Sequence, residues 1–172
     1  MPTTFTLSEF KDSITGNFVR SNRFLVTFSN ATTIGLPTNY QYLVKSLPLP
    51  TKTNGEIISN WFGMEHKQGG DITIDDLTIV FLLDEGLNMR LAFETWFNST
   101  TNPITNTRGD YGTYKSDIEV QVMGLDNKEI SKYQFIGCFP TSVGAVEMDQ
   151  DTVDSSMDLS VTFSVDDWTK LA

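Results

Sequence analysis

Apolar and polar residues alternate with a period of two along much of this chain. The clearest run is 157–165, where Met157, Leu159, Val161, Phe163 and Val165 are separated by Asp158, Ser160, Thr162 and Ser164. That spacing predicts a strand with one buried and one wet face. Residues 24–28 repeat the pattern in shorter form. So do Ile118, Val120 and Val122, with Asp117, Glu119 and Gln121 on the opposite face. The polar stretch 124–129 predicts a turn into a strand at 130–138, and hence a hairpin. Segments 40–47 and 56–62 predict a second strand pair. Between them, Pro48 and Pro50 lack amide donors and end the ladder, while Asn54-Gly55 supplies a turn. Residues 77–83 are apolar almost throughout, which predicts a strand covered on both faces.

One segment departs from this period. Met89, Ala92, Phe93 and Trp96 fall on one face of a helix over 87–97, with Asp84 as its cap and Arg90 and Glu94 paired at i,i+4. The Asn- and Thr-rich stretch 98–103 ends it. Residues 98–114 show no apolar period, and an unstructured loop of that length is usually functional or ordered by a partner. The fold class expected is mainly β: an antiparallel β-sandwich or partial barrel with one flanking helix, as a single domain over 1–172.

Composition removes most chemistry. The chain has 172 residues, 12 Lys and Arg against 22 Asp and Glu, and a net charge of −10. So acidic a protein is unsuited to gripping phosphate backbones. There is one cysteine, Cys138, and one histidine, His66. An internal disulfide and a Cys/His zinc site are therefore excluded. No stretch reaches the length of a membrane helix, and the N-terminus lacks the features of a signal peptide, which predicts a protein made in a cytosol. On that reading the sequons at Asn30 and Asn98 are chance matches. Any nucleophilic triad must use His66, but its surroundings read as a polar loop and no nucleophile elbow occurs. Cys138 sits among apolar residues and reads as a buried hydrophobe.

The acids Glu147, Asp149, Asp151 and Asp154 lack the glycine and terminal Glu of a calcium loop and read as a solvated face. Gly69-Gly70 and Gly109-x-x-Gly112 lack the lysine and spacing of a phosphate loop. Trp61, Phe62, Trp96 and Trp168 read as core aromatics, with a sugar platform as the alternative. No catalytic residue, cofactor or metal is expected.

Five motifs in order nevertheless carry a resemblance. Gly16-Asn17-Phe18-Val19-Arg20-Ser21-Asn22-Arg23-Phe24-Leu25-Val26 leads into the first strand. Ser46-Leu47-Pro48 ends the second. Asp75-Asp76-Leu77-Thr78-Ile79-Val80 precedes the helix that carries Arg90, Phe93 and Trp96. Pro140-Thr141-Ser142-Val143-Gly144 follows, and Trp168 closes the series. In order and spacing the chain resembles the tail tube proteins of contractile-tailed, T-even-like bacteriophages. It departs from them at Cys138-Phe139 and in the 98–114 loop.

The resemblance implies a virion structural protein and not an enzyme. Its partners would be further copies of itself, in hexameric rings stacked into a tube. A sheath would lie outside, a baseplate tube initiator and a tail terminator at the ends, and a tape-measure protein and then DNA in the channel without tight binding. Strands of six subunits would close into one ring-wide barrel, removing exposed sheet edges. An acidic wall would let DNA slide where Lys and Arg would hold it by counterion release. Asp117, Glu119, Asp158 and Asp166 are the channel-lining candidates. Arg20, Arg23, Lys45, Lys52 and Arg108 are the candidates for contacts between subunits. The N-terminal segment 1–22 and the loops 47–60 and 98–114 are the candidate assembly elements. Two other readings stand: a baseplate tube initiator of the same fold, and a carbohydrate-binding β-sandwich with exposed aromatics.

Overall fold

A computed structural model describes residues 7–13, 18–151, 153 and 155–171. Residues 1–6 of the N-terminal segment, Gly16 and Asn17 of the first motif, and Asp154 lie outside the described residues. The chain opens with α1 (Leu7–Ser13), β1 (Phe24–Phe28), α2 (Ala31–Ile34) and β2 (Val44–Ser46). The strands β3 (Lys52–Trp61), β4 (Met64–Ile74) and β5 (Leu77–Leu82) lead into α3 (Asn88–Thr100). The short strands β6 (Thr101–Asn102) and β7 (Thr107–Arg108) and helix α4 (Tyr111–Tyr114) follow. The chain closes with β8 (Ser116–Met123), β9 (Glu129–Val143), β10 (Asp158–Ser164) and β11 (Asp167–Leu171).

The main sheet is antiparallel, in the order β1-β8-β9-β10-β5-β2, with β11 also paired to β9. Strand β9 is long enough to serve both halves of the sheet: its first part carries β8 and β11, its last part β10. The changeover is at Gly137, which takes φ +68. Its amide donates to the Asp117 carboxylate at 3.1 Å. A Cβ there would come within 2.3 Å of Asp166 Oδ2, so only glycine fits this bend without displacement.

The curled sheet encloses one core. Strands β1, β8 and β10 alternate as expected and β5 alternates with them, burying Val26, Phe28, Leu77, Ile79, Phe81, Ile118, Val120, Leu159, Val161 and Phe163. Helix α3 lays Met89, Ala92, Phe93 and Trp96 into the concavity, the apolar face its spacing predicts. The Phe28 ring centroid lies 5.7–6.4 Å from those of Tyr40, Phe81, Phe93, Trp96 and Phe163, a cluster joining both halves of the sheet to the helix.

Several expectations are corrected. Segment 40–47 does not pair with 56–62. Tyr40–Leu43 is a 3-10 turn whose buried Tyr40 hydroxyl accepts from the Phe28 amide at 3.2 Å, and β2 pairs with β5. Strand β3 pairs instead with β4. The reversal lies at Phe62 (φ 48) and Gly63 (φ 77), the two positive-φ positions that a tight hairpin turn requires. Asn54-Gly55 is an irregularity within β3, where Gly55 and Gly70 let the two backbones approach closely. Strand β5 is buried on one face only; Thr78, Val80 and Leu82 stay half-buried. Helix α3 runs on to Thr100, and residues 98–114 are ordered as a helix end, the β6–β7 pair and α4. Trp96 is buried and Trp168 half-buried, but Trp61 and Phe62 are exposed and belong to no core.

Candidate functional site

The residues that enzyme chemistry would need are far from one another in character. His66 lies on exposed β4, with Gln68 as its neighbour at 3.3 Å. Cys138 is fully buried; burial, and then the Asp117 charge, push its thiol up from 9.0 to about 12. It is inert at neutral pH. Among the described residues no cluster of His, Cys, Asp and Glu could hold a metal.

The feature that stands out is the β3–β4 hairpin. Every residue of β3 is exposed, and all but two of β4. It pairs only with itself in a two-stranded sheet apart from the main one. Residues directly opposite share a face, so Ile57, Ser59 and Trp61 line up with Gln68, His66 and Met64. At the tip, Trp61 is 75% exposed, Phe62 91% and Met64 75%. Ile57, Ile58 and Ile72 are also exposed. An isolated two-stranded ribbon is marginal in water, and exposed apolar side chains on free edges are an invitation to pair. Trp61 and Phe62 meet edge to face at 84°, centroids 5.2 Å apart, which is not the flat platform a sugar ring needs. Phe62 is a bulky residue in left-handed backbone, which the two-residue turn requires at that position. The sequence places Trp61 and Phe62 in a core, and the structure puts them instead at this exposed tip. A signal was present: an apolar Trp-Phe-Gly-Met run at a chain reversal opposes ordinary turn chemistry.

A second apolar feature opens at the foot of the hairpin. Val19, Phe24, Leu47, Leu49, Val120 and Val122 line a groove of about 600 Å³ between β1, β8 and residues 45–49. Arg20, Arg23 and Lys45 stand on its wall.

Each predicted channel carboxylate has a partner within the subunit, and two of them, Asp117 and Asp166, both border Gly137. Asp117 accepts from Gly137 and from Gln134 at 3.3 Å. Glu119 pairs with Lys132 at 2.7 Å, Asp158 with Lys45, and Asp166 with Lys115. Burial alone lowers the Lys115 pKa, but the hydrogen bonds and charges of Asp166 and Tyr111 outweigh it and hold the ammonium above its ordinary value.

The predicted contact cations divide. Lys52 reaches Asp167 and the Trp168 carbonyl, each at 2.6 Å, and lies over the Trp168 ring. The Lys52 hydrogen bond to Asp167, and then that of the Trp168 amide, lower the Asp167 pKa. Arg23 ties down the β8–β9 turn through the Gly124 carbonyl and Asn127 Oδ1, both at 3.0 Å. Arg20 and Arg108 are exposed and carry no ion pair among the described residues.

Comparison with known proteins adds to this geometry. The family described as phage tail tube protein matches residues 19–171. Tail tube protein gp19 of Enterobacteria phage T6 is 29% identical over 168 residues, which cover 92% of this chain and 99% of that protein. Its counterpart in Enterobacteria phage T4 is also 29% identical over 168 residues. Among solved structures, a chain of the sheath-tube complex of an extracellular contractile injection system superposes with a TM-score of 0.68 at 16% identity, covering 98% of this chain and 99% of the other. A chain of the anti-feeding prophage tube-terminating cap gives 0.69 at 19% identity, covering 94% and 96%. These two likenesses show a shared fold.

Proposed function

The chain belongs to the phage tail tube protein family, and from that premise we propose that its copies form hexameric rings stacked into a rigid inner tube through which DNA passes. As a tail tube protein it is a structural component of the virion, in a contractile tail. The observation that carries the assembly reading is the β3–β4 hairpin, whose apolar side chains have nothing to pack on within the subunit. Contact between stacked rings supplies that cover, with the 98–114 segment and the N-terminal segment beside it.

The solved relatives come from assemblies that contain a sheath, a baseplate and a terminating cap. Equivalent partners suit this chain: a sheath outside, an initiator and a terminator at the ends, and a tape-measure protein and then DNA inside. Asp117, Glu119, Asp158 and Asp166 remain channel candidates. Their internal counter-charges mean that repulsion of DNA must come from the whole acidic surface rather than from these four alone.

Deleting residues 50–55 is a poor test. Pro50 is buried and the Thr51 carbonyl holds the Asp75 amide at 3.1 Å, so that cut damages the foot of the hairpin. Glu56 and Gly69 face each other in the ladder, so residues 57–68 can be replaced by an Asn-Gly turn. The expected product is a monomer with an unchanged melting temperature and circular dichroism that forms no tubes in negative-stain images. Normal tubes from it would overturn the assembly role of the hairpin.

A further inference from the structure

Resting on that assembly reading, we infer that the hairpin tip of one copy, Trp61-Phe62-Gly63-Met64, seats in the groove between β1, β8 and residues 45–49 of a second copy. The occupant cannot be the tip of the same chain. The groove wall at Leu47 and Leu49 lies just before the hairpin root at Lys52. A ten-residue strand then carries the tip about 30 Å away. The ladder runs unbroken from Trp61–Met64 back to Glu56–Gly69, and every residue of that stretch is exposed, so the ribbon stands off its own body.

Chemistry matches tip to groove. Three large exposed apolar side chains need cover, and the groove of about 600 Å³ is lined by six apolar ones. The charges match as well. Glu65, next to the tip, is exposed and carries no ion pair, and Arg20 on the groove wall carries none among the described residues. Phe62, at the end of the ribbon, is 91% exposed. Tip and groove are different patches at opposite ends of one element. Each copy therefore offers one of each, so the contact is head-to-tail; such a contact runs on as an open series wherever its rotation does not close, as between stacked rings.

The test uses full-length protein and sedimentation of assembled polymer. Phe62 is 91% exposed and Leu49 46%, so Phe62→Asp and Leu49→Asp both leave a folded subunit, which circular dichroism checks. Both are expected to lose the pelletable polymer. If Phe62→Asp assembles normally, the hairpin reading itself falls. If Phe62→Asp fails while Leu49→Asp assembles, only the groove assignment falls. Cross-linking gives an independent readout, because Cys138 is buried and silent. Tagged Phe62→Cys mixed with untagged Leu49→Cys should oxidise to a mixed dimer on non-reducing gels. Only like-with-like dimers, or none, would overturn the contact, as would a groove filled by the same chain's N-terminal residues in a cross-linking map. Arg20→Glu and Glu65→Arg should each lower polymer yield and together restore it; no restoration counts against the pairing.

Discussion

At the scale of single residues the subunit is organised around Gly137 and its neighbours. Asp117 holds the bend of β9, and Lys115 and Asp166 close over it. Cys138 follows directly, fully buried, with its thiol pushed up to about 12. The folded chain therefore keeps a proton that the unfolded chain gives up near 9.0. The stability linked to that proton is whole below the unfolded value and drains away as pH rises toward the folded one. Lys115, raised by Asp166 and Tyr111, works in the same direction: its ion pair is lost when the ammonium finally deprotonates. Urea midpoints should accordingly fall across the alkaline range. Cys138→Ala should start lower, from its cavity, yet fall less steeply. An unchanged slope in that variant would show that the thiol plays no part.

At the scale of elements, α3 does more than fill the concavity. The Trp96 indole N–H donates to the Tyr114 carbonyl at 2.7 Å and so ties the end of the 98–114 segment to the core. Trp96→Phe keeps an aromatic ring but removes that bond, at about 1 kcal/mol for the bond alone, with a further cost for the space the smaller ring leaves in the core. Faster protease cleavage within 101–114, with little change at other sites, is the expected signature. General unfolding would mean that the bond matters less than the packing. The same helix shows what periodicity can reveal. Met89, Ala92, Phe93 and Trp96, and the alternation of β1, β8 and β10, were legible because each faces a core made by its own chain. The β3–β4 hairpin was not, because its apolar residues face nothing in the subunit and no burial period marks them. Its turn was misplaced for a local reason: Asn54-Gly55 is the stronger turn signal, but Gly55 serves close backbone approach to Gly70 instead. The roles of Lys45 and Lys52 were equally hidden, since their partners Asp158 and Asp167 lie 113 and 115 residues away in the chain.

At the scale of the whole molecule the charge of −10 is unevenly placed. Ion pairs among the described residues engage at least seven of the 12 Lys and Arg, and they neutralise Glu119, Asp158 and Asp166 on and beside the strand faces. Carboxylates without an ion pair among the described residues include Asp71, Asp75, Asp76, Glu85, Glu147 and Asp151, on the hairpin and in loops. Bringing copies together therefore sets like charges against each other at their margins, while apolar tips supply the attraction. The two terms respond oppositely to salt. Repulsion is felt over about 10 Å at 0.1 M salt and about 3 Å at 1 M, whereas apolar burial is not weakened by screening. Tube formation followed by light scattering should thus become faster and more complete as sodium chloride is raised over that range. A fall with salt would mean that ion pairs such as Arg20 with Glu65 outweigh the acidic excess, and would move the driving force for stacking from the aromatic tip to its charged surroundings.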